Sequence, residues 1–231
     1  MLISRSRKSI FIHVAKAAGM SIRKILEPHC SEPEKFKIKR PAKTIDGRPN
    51  PLYDIWRYSL YHASARDVKK EVTPEVFNSC YKFAFVRNPW DWQVSMYHFI
   101  LKDPTHVRYE TVSAMNGFGE YLEWVINTPR PYPRGAAKFQ KPMLTDREGR
   151  LMVDFLGRFE TLERDFARVC DRLGIEGALP KINGSGHRDY RDYYTDKTRK
   201  MVGEYFKEDI AFFGYTFDGC KDMGGNYAEI Q

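Results

Sequence analysis

The sequence predicts an α/β fold with a central, mainly parallel sheet covered by helices. Two short apolar runs, residues 9–14 and Tyr81–Val86, are rich in β-branched and aromatic residues, as is typical of strands buried on both faces. Each run is followed by a loop and then by a helical pattern, at Gly19–Leu26 and at residues 90–101. Repeated strand, loop and helix are the signature of α/β proteins.

Caps and apolar stripes predict further helices. A Thr-Pro-Glu sequence beginning at Thr73 supplies a cap residue, a proline for the first helical position and an acid for the first turn. Apolar residues recur at helical spacing over residues 160–173 and 195–213, and a glycine follows each stretch. Residues 32–51 and 128–142 are rich in proline and basic residues, and we expect surface loops or lids there.

Length, charge and hydropathy limit the class of protein. The 231 residues predict a single domain spanning 1–231, because no separate core-sized segment follows either proline-rich stretch. The formal net charge of +8 favours anionic partners without choosing among them. The longest stretch without charged residues covers only 92–101, whereas a membrane helix needs about 20 apolar residues. We therefore expect no membrane span.

Cysteine usage and the N-terminus favour a cytoplasmic location. Cys30, Cys80, Cys170 and Cys220 are scattered and include no Cys-x-x-Cys pair, so neither a metal site nor a disulfide framework is expected. The apolar run near the N-terminus is too short for a signal peptide. Since these features fit a reducing compartment, we expect a soluble cytoplasmic protein.

The loop after the first predicted strand has the composition of an anion-binding site. Alanines and Gly19 surround Lys16, and small residues let a backbone approach a ligand closely. The helix that follows presents N–H groups and a positive dipole end, while Lys16 and Ser21 add side-chain donors. Lys16 precedes the glycine, unlike the order in nucleotide triphosphatases. An ordinary strand-to-helix turn with a solvated lysine fits this segment equally well.

A second candidate loop follows the second predicted strand. Arg87 is followed by an Asn-Pro turn and a helix start, and Ser95 falls about two turns into that helix. The guanidinium fork matches phosphate oxygens, and a serine hydroxyl can donate. Because loops after parallel strands open at one edge of a sheet, the two loops predict a ligand with two separated phosphate-like groups. A structural arginine paired with a carboxylate is the alternative.

Together these segments resemble the sulfotransferases that use 3′-phosphoadenosine 5′-phosphosulfate (PAPS), above all the carbohydrate-type family. That family's first motif runs roughly His-Ile-Pro-Lys-Thr-Ala-Gly-Thr-Ser, where this chain has residues 13–21. Its second motif runs roughly Phe-Val-Arg-Asn-Pro-Trp-Asp-Arg-x-x-Ser-x-Tyr, and residues 85–97 follow it. Residues 155–175 and 179–202 resemble further signatures of the family. The resemblance implies a three-layer αβα architecture with P-loop NTPase-like sulfotransferase topology.

The resemblance also implies roles for individual residues. Lys16 would hold the 5′-phosphosulfate near its bridging oxygen, and His62 would accept a proton from the acceptor hydroxyl as general base. The product would be adenosine 3′,5′-bisphosphate (PAP), and no metal is expected because fixed cations stabilise the leaving group. Arg87 and Ser95 would bind the 3′-phosphate, and Arg188 would supply a further phosphate contact. The 5′-phosphate would be bound by the hydroxyl of Ser21 and by the backbone N–H groups of Ala17, Ala18, Gly19 and Met20.

Four positions depart from the family pattern. In the first loop the family's proline and two threonines are Ala15, Ala17 and Met20, which leaves Ser21 as the loop's side-chain hydroxyl donor. In the second motif the arginine after Trp-Asp is Trp92, so the ion pair of that arginine is expected to be absent. Lys16, Arg87 and Ser95 are retained, so the predicted phosphate contacts are not removed.

Two other function classes stay open on the residues alone. A nucleotide kinase or triphosphatase could share the architecture, but the Gly-Lys-Ser/Thr order and a clear Mg²⁺-binding acid after a strand are missing. A non-enzymatic anion or nucleic-acid binding protein fits the charge, but no nucleic-acid motif is visible. We expect an enzyme that sulfates a hydroxyl on a glycan or small metabolite and has no nucleic-acid partner. The sequence predicts no oligomeric state.

Overall fold

The computed structural model describes residues 1–30, 44–49, 62–132, 136–177, 179 and 188–220. The described residues group into two compact units. Unit 1 contains those of Met1–Val86 and Arg134–Pro180, and unit 2 contains those of Arg87–Pro133 and Lys181–Gly225. The single domain over 1–231 stays a prediction.

Strands and helices are interspersed along the described chain. The strands are β1 (Leu2–Ser4), β2 (Ser9–Ile12), β3 (Thr44–Ile45), β4 (Arg48–Pro49), β5 (Tyr81–Val86), β6 (Phe155–Arg158), β7 (Tyr215–Thr216) and β8 (Gly219–Cys220). The α-helices are α1 (Gly19–Leu26), α2 (Ala65–Glu71), α3 (Pro74–Ser79), α4 (Pro89–Lys102), α5 (Tyr109–Ser113), α6 (Phe118–Asn127), α7 (Lys141–Leu144), α8 (Leu162–Leu173), α9 (Asp196–Tyr205) and α10 (Lys207–Phe213). Within the described ranges, every helix is too short or too polar to cross a bilayer.

Unit 1 is built on a four-stranded sheet in the order β1, β2, β5, β6. β5 pairs in parallel with β2, where Phe83 lies opposite Phe11, and with β6, where Val86 lies opposite Arg158. β1 runs antiparallel to β2 at the edge. The α/β prediction with a mainly parallel central sheet is confirmed, and the carboxyl ends of β2, β5 and β6 lie at one edge of that sheet.

The central strands form because most of their side chains are apolar, on both faces. Every residue of β2 is buried, and the rings of Phe11 and Phe83 stack with centroids 5.3 Å apart. Gly157 in β6 is required by packing, since a Cβ at this position would lie 2.3 Å from Cε1 of Phe85. The glycine therefore lets an aromatic ring of β5 lie directly against the backbone of its neighbour.

Replacing Gly157 by alanine is expected to lower the free energy of unfolding by about 1–3 kcal/mol, as overpacking of a filled core does. Urea denaturation of the purified protein measures the change. Gly119→Ala is the matched control, because a Cβ at Gly119 meets nothing closer than 3.8 Å. Equal stability of Gly157→Ala and the unchanged protein would show that the Phe85 ring is not fixed there.

Some element boundaries differ from the sequence-based expectation. Residues 195–213, predicted as one helix, form α9 and α10, which meet at Phe206 with φ −99° and ψ 18°. Glu208 and Asp209 in the first turn of α10 explain the break, because acids favour a new helix N-terminus. β1 and β6 were not predicted, since strands of three and four residues are too short for a pattern to show. In the predicted loop 32–51, only residues 44–49 are described, where β3 and β4 pair.

Candidate active site

The loop between β2 and α1 in unit 1 has a strained backbone. Lys16 (φ 62°) and Ala18 (φ 59°) both adopt the left-handed region without being glycine. Each such residue costs of the order of 1–3 kcal/mol and persists only where the surroundings enforce it, often at a functional site. Left-handed residues in a loop also turn neighbouring N–H groups toward one side, as in anion-binding backbone nests.

The N-terminus of α1 adds a second source of positive potential. No side chain caps this end, and its first turn contains no acidic residue. The first hydrogen bond of the helix runs from the N–H of Ile22 to the carbonyl of Ala18. Met20 occupies the position of a threonine in the family motif, and its apolar side chain is 53% exposed. It therefore supplies no hydroxyl donor to the loop. The anion-binding groups of this loop are therefore its backbone N–H donors and the Lys16 ammonium.

His13 and Gly19 pack so closely that the loop can close only with a glycine. A Cβ on Gly19 would lie 1.8 Å from Nε2 of the buried His13 ring. His62 lies beside the same ring, with the two ring centroids 4.7 Å apart. Its Nδ1 is 3.1 Å from the His13 carbonyl oxygen. The structure thus brings His62 to the loop that contains Lys16.

The hydrogen bond of His62 defines its tautomer. A carbonyl oxygen only accepts, so Nδ1 of His62 donates and the lone pair of the neutral ring is on Nε2. Burial lowers the pKa of His62 to about 4, and the hydrogen bond to His13 opposes this shift only in part. Burial, followed by nearby positive charges, also lowers the pKa of His13 well below 6.5. At neutral pH His62 is therefore in the form that accepts a proton.

An NMR titration checks this assignment. The ring signal of His62, identified by its loss in His62→Asn, is expected to stay unchanged from pH 8 to pH 5.5, because its pKa is about 4. The unfolded chain binds this proton more tightly, so the free energy of unfolding should fall as pH drops from 6.5 toward 4. A titration midpoint near 6.5 would contradict the buried, neutral state. Bound phosphate should raise the midpoint, since an anion favours the charged ring.

The second loop begins unit 2, and its arginine is held by a carboxylate. Arg87 Nε lies 2.7 Å from Oδ2 of Asp91, and Nη2 lies 2.9 Å from Oδ1. Both side chains are buried, as is Ser95 in the second turn of α4. The structure therefore contains the arginine–carboxylate pair that the sequence left as an alternative. At the position of the family's arginine after Trp-Asp, Trp92 packs its ring against that of Tyr132, with centroids 5.1 Å apart.

The start of α4 is tied to the carboxyl-terminal part of unit 2. Asn88 accepts from the N–H of Trp90 and donates from Nδ2 to the carbonyl of Thr216, at 2.8 Å. Arg188 lies in the same unit, exposed, with its guanidinium carbon 5.8 Å from the centroid of the Tyr193 ring. Residues 183–190 resemble a stretch that often closes over the nucleotide in the family, and residues 183–187 of it lie outside the described residues.

The predicted site residues divide between the two units. Unit 1 contains Lys16, residues 17–21 and His62; unit 2 contains Arg87, Ser95 and Arg188. Sequence reasoning did not identify Asp91, although its position four residues after Arg87 is the usual spacing of a helical ion pair. Among the described residues, no cluster of three or more His, Cys, Asp or Glu could hold a metal ion.

Comparisons with known proteins agree with the sequence resemblance. The family described as "Sulfotransferase family" matches residues 1–216. The fold is similar to that of mouse sulfotransferase SULT7A1 complexed with PAP, with a TM-score of 0.50, 15% sequence identity, and coverage of 90% of this chain and 86% of that one. An uncharacterised protein of Archaeoglobus fulgidus is 29% identical over 129 residues, which are 54% of this chain and 93% of that protein.

These matches confirm that the predicted family is that of the sulfotransferases, and they confirm the α/β sulfotransferase fold. The match to residues 1–216 extends through both predicted phosphate-binding loops and favours sulfuryl transfer over the kinase alternative. At 15% identity the mouse structure shows the shared fold alone. The chain belongs to the sulfotransferase family.

Proposed function

We propose that the protein transfers a sulfuryl group from PAPS to a hydroxyl group of a carbohydrate or related metabolite and releases PAP. The observation that supports this most directly lies within unit 1. Nδ1 of His62 donates to the backbone carbonyl of His13, the residue that directly follows β2. This contact lies beside the strained loop that contains Lys16 and the uncapped start of α1. A neutral base next to an anion-binding loop is the arrangement that sulfuryl transfer needs.

The proposed reaction is an in-line displacement at sulfur. The acceptor oxygen forms a bond to sulfur as the bond between sulfur and the bridging phosphate oxygen breaks. The acceptor proton passes to Nε2 of His62, and the electron pair of the broken bond stays on the bridging oxygen of PAP. Because charge grows on that oxygen, Lys16 and the N–H groups of residues 17–21 stabilise the transition state more than the ground state.

We assign the 3′-phosphate to unit 2. Arg87 would bind it through its guanidinium and Ser95 through its hydroxyl, with Arg188 contributing a further phosphate contact. In support, Arg87 directly follows β5, whose carboxyl end lies at the same edge of the sheet as that of β2. A single catalytic domain over 1–231 is supported by a family match that runs from residue 1 to residue 216.

We propose a carbohydrate acceptor and a cytoplasmic location on chemical grounds. The motifs at residues 13–21 and 85–97 resemble those of the carbohydrate-type enzymes, and a net charge of +8 suits an acidic acceptor. The cysteines Cys30, Cys80, Cys170 and Cys220, all within the described residues, are thiols that form no disulfide, which fits a reducing compartment.

A transfer assay tests the proposed activity. The purified protein is incubated with ³⁵S-labelled PAPS and a panel of glycans, glycolipid headgroups and small hydroxylated metabolites. Labelled sulfate should appear on a carbohydrate acceptor, with one PAP released for each sulfate transferred. A parallel reaction with γ-³²P-labelled ATP and Mg²⁺ tests the kinase alternative. Phosphate transfer from ATP without sulfate transfer from PAPS would overturn the proposal.

A further inference from the structure

We propose that Asp91 is a positioning residue, whose carboxylate holds the Arg87 guanidinium in the orientation that binds the 3′-phosphate. This inference rests on the proposed function and extends it to a residue that does not itself contact the nucleotide. Arg87 and Asp91 are only 4% and 8% exposed, so the pair is shielded from the solvent that weakens surface ion pairs.

The geometry of the pair fixes the guanidinium plane. Nε and Nη2 of Arg87 donate side by side to the two oxygens of Asp91, at 2.7 and 2.9 Å. Two parallel hydrogen bonds restrict both the tilt and the rotation of the fork. This side-on contact directs the other edge of the fork, formed by Nη1 and Nη2, away from Asp91. Holding the fork in one orientation reduces the side-chain entropy that Arg87 loses when it binds a phosphate.

Asp91 is in turn held on a rigid base. It lies in the first turn of α4, where an acid is stabilised by the helix dipole. The indole Nε1 of the neighbouring Trp90 donates to the carbonyl of Arg199 at 3.0 Å. The backbone carbonyl of Trp90 accepts from the hydroxyl of Tyr194 at 2.9 Å. Asn88 ties the same turn to Thr216. Since these contacts fix the helix start, they also fix where the carboxylate lies.

A carboxylate beside Arg87 also reduces the local positive charge. Neutralisation weakens phosphate binding, whereas orientation of the guanidinium strengthens it. If Asp91 only neutralised Arg87, its removal would strengthen phosphate binding. If Asp91 orients Arg87, its removal weakens binding of the 3′-phosphate specifically. Comparing PAP with adenosine 5′-monophosphate (AMP), which lacks the 3′-phosphate, separates the two effects.

The test is calorimetric binding of PAP and AMP to Asp91→Asn, which retains the side-chain shape. We expect the dissociation constant of PAP to rise about tenfold, a loss of about 1.4 kcal/mol, with AMP binding unchanged. A merely structural defect would weaken both nucleotides. A PAP-to-AMP preference equal to or greater than that of the unchanged protein would overturn the inference. Asp91→Glu, which restores the carboxylate, should recover part of the preference.

A double-mutant cycle tests whether Asp91 acts through Arg87. In the Arg87→Ala background, adding Asp91→Asn should not lower the PAP-to-AMP preference further, because the group that it positions is gone. A further loss would overturn the inference. Asp146→Asn is the control, since Arg150 and Asp146 form an exposed pair at the same four-residue spacing.

The nucleotide preference of the unchanged protein tests the 3′-phosphate assignment separately from the role of Asp91. If the unchanged protein binds PAP no more tightly than AMP, the assignment of the 3′-phosphate and the role of Asp91 are both overturned. If the unchanged protein prefers PAP and Asp91→Asn keeps that preference, only the role of Asp91 is overturned.

Discussion

Replacing Lys16 by alanine is expected to lower the turnover number about 10²- to 10³-fold, the loss seen when one oxyanion donor is removed from an active site. Lys16 lies in the strained loop before α1, where its ammonium would meet the bridging oxygen of PAPS. Since charge develops on that oxygen only as the S–O bond breaks, the KM for PAPS should change less than the turnover number.

Steady-state kinetics with saturating acceptor measure this effect. Lys24→Ala is a matched control, because it removes the same charge from the last turn of α1 rather than from the loop before it. The control should retain its turnover number. An unchanged turnover number in Lys16→Ala would remove Lys16 from the chemistry.

Replacing Arg87 by alanine is expected to weaken PAP binding about 10- to 100-fold, the value of a charge-assisted hydrogen bond to phosphate. Binding of AMP should change little, since AMP lacks the group that Arg87 binds. Calorimetry of both nucleotides measures the difference, with Arg150→Ala as an exposed control.

The alanine variant leaves the buried carboxylate of Asp91 without its arginine, which destabilises the fold by about 3–5 kcal/mol. Arg87→Lys is therefore measured alongside, because it keeps a positive charge near Asp91 and loses only the planar fork. Its affinity for PAP should lie between those of the unchanged protein and Arg87→Ala. Full PAP affinity in both variants would contradict the 3′-phosphate assignment.

The elements that frame the first loop were predictable because each has a strong local signal. β5 occupies the predicted residues Tyr81–Val86, and α1 occupies the predicted residues Gly19–Leu26. The need for a small residue at position 19 was also visible. Its physical cause was not, because the ring that excludes a side chain there belongs to His13, and this contact forms only when the chain folds.

The chemistry of the candidate site depended on tertiary structure to different degrees. An anion-binding composition around Lys16 could be read directly, whereas its left-handed backbone could not, since propensity disfavours that conformation for lysine. His62 was placed by resemblance, and its lowered pKa follows from burial that no local pattern encodes. The sequence could not show whether Arg87 pairs with a carboxylate, because an arginine in a buried ion pair and an arginine that binds phosphate share the same sequence pattern.

The central proposal is that this fold binds an adenine nucleotide with phosphates at both the 3′ and 5′ positions. The direct measurement is the free energy of unfolding with PAP, AMP or ATP with Mg²⁺, all at the same concentration. PAP at 100 times its dissociation constant should add about 2.7 kcal/mol, and the other nucleotides should add less. Stabilisation by ATP with Mg²⁺ and none by PAP would contradict a PAPS-dependent sulfotransferase.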